Sequence, residues 1–63
     1  MVDQAVLADI ERRIQIVEDN LRELIEQAAA YSGAADEERA SERIAAQEAQ
    51  LEALLKKRAA LAG

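Results

Sequence analysis

The stretch Leu7–Tyr31, LADIERRIQIVEDNLRELIEQAAAY, decides the fold. Its apolar residues stand at Leu7, Ile10, Ile14, Val17, Leu21, Leu24, Ala28 and Tyr31, in alternating steps of 3 and 4. A helix turns once in about 3.6 residues, so this alternation lines up one face as an unbroken heptad seam. Asp3 stands just ahead of the seam, where a short carboxylate can accept hydrogen bonds from the free amides of a first turn. The pattern predicts a helix over about residues 3–31.

Working outward, a second seam runs through Ala40, Ile44, Gln47, Leu51, Leu54, Arg58 and Leu61, again in steps of 4 and 3. The acids Asp36, Glu37 and Glu38 precede it, and Lys56, Lys57 and Arg58 stand near its end. That polarity suits the helix dipole. Glu52 and Lys56 are spaced for an ion pair along the helix.

The two seams are out of phase. Tyr31 and Ala40 are 9 residues apart, whereas one continuous stripe would need about seven, ten or eleven. The break falls at Ser32-Gly33-Ala34-Ala35-Asp36. Gly33 can end a helix in the left-handed conformation, and Asp36 can cap the next one. The reading is a single all-α unit over residues 1–63, an antiparallel two-helix hairpin of coiled-coil type. Its turn is expected at about residues 32–36 and its second helix at about 37–61. A turn near residue 34 makes facing residues sum to about 68, pairing Leu7 with Leu61, Ile14 with Leu54, Val17 with Leu51, Leu24 with Ile44 and Ala28 with Ala40. These pairs are apolar on both sides, so the phase of the seams agrees with the position of the turn.

Two helices of this length cannot bury much. The chain has 63 residues, and its only aromatic is Tyr31. Chains this small usually add a disulfide, a metal or a second subunit. There is no Cys and no His, so disulfides are out and the usual structural zinc ligands are missing. Oligomerisation remains, and a homodimer forming a four-helix bundle is the expected state. The expected core and self-association set is Leu7, Ile10, Ile14, Val17, Leu21, Leu24, Ile44, Leu51, Leu54 and Leu61. Ile25 and Leu55 widen the stripe as a bundle needs.

Charge adds a second layer. One flank of the hairpin carries Glu11, Glu18 and Glu48, and the other carries Arg13, Arg43 and Lys57. Within an antiparallel pair like flanks face each other, so a lone hairpin gains nothing from them. Setting the acidic edge of one hairpin against the basic edge of another is one expected remedy. The formal net charge of −5 argues against general nucleic-acid binding, which depends on neutralising phosphates.

Without His or Cys the common nucleophile and base pairings cannot form, and the Glu-x-x-His motif of bundle metal sites cannot occur. No enzyme activity, cofactor or metal is expected. The longest apolar runs fall far short of the ~20 residues that span a bilayer. The first residues lack a basic leader, so the expected compartment is the cytoplasm.

Four further residues carry competing readings. Gln47 and Arg58 are the polar members of the second seam: Gln47 can set register at a cost in stability, and Arg58 can pack its stem while its head reaches water. Tyr31 is expected to plug the looped end of the core. Ile16 is expected on the side away from the seam, as an ordinary exposed apolar residue or an anchor for a partner.

In length and layout the chain resembles the small dimeric helical hairpins that regulate plasmid copy number by binding RNA, and that resemblance implies architecture alone. The expected function is that of a non-enzymatic structural or adaptor protein working through homodimeric assembly and contact with another protein. The alternative is a small RNA- or DNA-associated regulator using Arg12, Arg13, Arg39, Arg43 and Lys57. A metal site built from glutamates alone ranks last.

Overall fold

A computed structural model describes residues 3–30 and 34–62, with side chains described for 3–30 and 37–62. The chain forms two helices, α1 (Gln4–Ala30) and α2 (Ala34–Ala62), folded back on each other as a hairpin with extents of 50 × 14 × 11 Å. Every long-range contact among the described residues joins α1 to α2.

Asp3 caps α1 as its position predicts. Its Oδ1 accepts from the Ala5 N–H at 3.0 Å and the Val6 N–H at 3.4 Å. Its carbonyl accepts the Leu7 N–H at 3.0 Å. One side chain thus serves two of the four amides that a helix start leaves without a partner.

The second helix differs from expectation at its start. It begins at Ala34 and not near residue 37, so Asp36 stands inside the helix and not at the position that precedes it. Ala34 and Ala35 are the strongest of helix formers, and nothing in them halts the helix short of Gly33. At the other end α2 runs to Ala62, within a residue of the expected end, and its last turn carries no basic side chain. Lys56, Lys57 and Arg58 therefore stand inward of the turn where the dipole is felt most. Tyr31 and Gly33 lie outside the described residues.

The first seam is the better buried. Ile10, Ile14, Val17 and Leu21 are buried, while Leu7, Leu24 and Ala28 are half-buried. Among the described side chains of α2 only Ala40 is buried; Ile44, Gln47, Leu51, Leu54 and Leu61 are half-buried, and Arg58 is exposed. No described side chain is fully enclosed. Two cylinders touch along a line, so each seam residue is covered from one direction and open from another. The surface ion pairs are local: Arg13 with Asp9 at 3.1 Å and Lys56 with Glu52 at 3.3 Å. Both are well exposed, so each is worth only a few tenths of a kcal/mol.

Candidate self-association surface

The hairpin is a layer two helices wide, and it has two long faces. Helical spacing divides the remaining side chains between them. The acidic face carries Glu11, Glu18, Ile25, Glu48 and Leu55. The other face carries Val6, Arg13, Ile16, Arg43 and Lys57.

The second face is grooved along its length. Near the open end of the hairpin, Val6, Asp9 and Ile10 of α1 line a hollow with Leu54, Lys57 and Leu61 of α2. In the middle, Arg13, Ile16 and Val17 line the next with Gln50, Ala53 and Leu54. Toward the turn, Asn20, Glu23, Leu24 and Gln27 line a third with Arg43, Ala46 and Gln47. In each hollow the numbers of facing residues sum to about 68, the register expected from the seams. The acidic face has a shallower counterpart bounded by Glu18, Leu21, Arg22, Ile25 and Leu51.

Of the edge charges, Arg13 and Lys57 come together in one groove, and Arg43 lies further along the same face. Glu11, Glu18 and Glu48 are exposed on the other face. Ile25 is 55% exposed and Leu55 37%, so neither widens the core of the single hairpin. Ile16 is 52% exposed, but it is not remote from the seam: it forms the lip of the middle groove beside Val17 and Leu54.

Two features of the grooved face go beyond the sequence reading. Asp9 and Glu23 lie among its basic residues, so the face is mixed in sign. On α2 it presents Ala46, Ala53 and Ala60. Their spacing of 7 was open to view in the sequence, but a search for large apolar residues passes over alanine.

Gln47 is half-buried in the seam, and its Oε1 is buried with no hydrogen-bond donor among the described residues. A buried carbonyl oxygen left without a donor costs about 1–3 kcal/mol. Among the described residues no three acidic side chains converge as metal ligands would, and no described helix is long and apolar enough to cross a membrane. Comparison with protein-family models, with curated proteins and with solved structures found no match. The functional reading therefore rests on this surface.

Proposed function

We propose that the chain is a non-enzymatic structural or adaptor protein that assembles as a homodimeric four-helix bundle and acts through contact with other proteins. The observation that carries this reading is the unfinished core: one seam is buried only through its middle, the other is half-buried except at buried Ala40 and exposed Arg58, and no described side chain is fully enclosed. Ordering a residue costs about 1.5 kcal/mol, which a core so thinly covered offsets poorly. A second hairpin laid on the first would cover the half-buried seam. Mixed charge on the grooved face weighs against the nucleic-acid alternative, because Asp9 and Glu23 would stand toward any phosphate drawn by Arg13, Arg43 and Lys57.

Thermal unfolding over a hundredfold range of concentration tests the proposal. The midpoint is expected to rise with concentration, as mass action requires of a dimer. A constant midpoint with full helical signal would overturn it. Salt-sensitive retention on heparin would favour the nucleic-acid alternative instead.

A further inference from the structure

We propose that the grooved face is where the second copy docks, with the two hairpins face to face about a two-fold axis that runs along their length. The inference rests on the self-association reading and specifies its geometry.

Symmetry narrows the choice. A closed pair meets through the same surface on both copies, whereas unlike surfaces leave one of each free and recruit a third copy. Packing the acidic face on the grooved face is of the second kind and builds stacks. A closed dimer must therefore join like faces. The acidic face would bring Glu11, Glu18 and Glu48 of one copy toward the same residues of the other. The acidic face holds Arg22 as its base, outnumbered by Glu11, Glu18 and Glu48, whereas the grooved face sets Asp9 and Glu23 among Arg13, Arg43 and Lys57 and so meets its own copy with far less repulsion.

The axis follows from where those charges lie. A two-fold axis along the hairpin preserves height and sets α1 of each copy over α2 of the other. The register of about 68 then applies across copies as well as within them. Glu23 comes to the level of Arg43 and Ala46, and Asp9 to the level of Lys57 and Ala60, so each acid meets a base of the other copy twice over. Ile16, 52% exposed in the lone hairpin, comes over Ala53, where the small side chain leaves room for it. A face 50 Å long and 14 Å wide matches the roughly 800 Å² per partner that stable interfaces bury.

The chain has no cysteine, which makes disulfide trapping clean. Under mild oxidation a chain carrying Ile16→Cys, mixed with one carrying Ala53→Cys, is expected to form a linked pair, which requires Cα atoms within about 7 Å. Arg22→Cys with Ala45→Cys, matched in height on the acidic face, is expected to form none. Ala53→Asp is expected to raise the dimer dissociation constant roughly 100-fold, since the charge enters the interface from both copies. Ala45→Asp, the same change at an exposed alanine of the same helix, is expected to shift it less than about threefold. A wild-type chain that stays monomeric would overturn the self-association reading itself. A dimer that survives Ala53→Asp and traps through the Arg22→Cys and Ala45→Cys pair would overturn the face assignment alone. Species that grow beyond the dimer with concentration would also overturn it, in favour of acidic-on-grooved stacking.

Discussion

Gln47 shows at the residue scale why this seam is not a plain apolar zipper. Its Oε1 is buried without a donor, in a seam otherwise made of Ala, Ile and Leu apart from Arg58. Gln47→Leu removes an unpaired acceptor and adds apolar contact, so the separated hairpin should gain about 1–2 kcal/mol. Urea unfolding of Gln47→Leu in the dissociated Ala53→Asp background, compared with Ala53→Asp alone, measures this, and a loss of stability would show that the amide is satisfied within one chain. Ile14 is the most buried side chain among those of the core, at 4% exposure. Ile14→Ala should cost about 2–4 kcal/mol. Asp19→Ala removes one exposed hydrogen bond from Gln15 and should cost less than about 0.5 kcal/mol. Similar losses from both would mean that the packed face has been misassigned.

Elements were legible where a side chain's role depends on spacing alone. The steps between Leu7 and Leu24 locate the buried face of α1, and Asp3 locates its start, because both follow from the helical repeat and the chemistry of a first turn. Asp3→Ala should cost about 1 kcal/mol. Hydrogen exchange at the Ala5 and Val6 amides should quicken with it, and unchanged exchange there would mean that the carboxylate is not what protects them. The start of α2 was misjudged at Asp36 because a capping side chain signals a helix start only if the residues before it resist the helix, and Ala34 and Ala35 do not. The grooved face was the least legible part. Its character depends on which way the helices roll about their common seam, and that roll is decided by packing between α1 and α2.

At the scale of the whole molecule, the hairpin explains its own incompleteness. A layer two helices wide and one thick has one seam and two open faces; its charges make one face mainly acidic, with Arg22 among its glutamates, and the other mixed. The face that can accept a copy of itself is also the one that holds the exposed Ile16 and the alanines of α2. The central claim is that two hairpins make one core. Sedimentation equilibrium of the wild-type chain from low to high micromolar concentration tests it most directly. The mass should climb to twice the 6.9 kDa of one chain and stay there. A mass that holds at one chain throughout, with the helices fully formed, would contradict it.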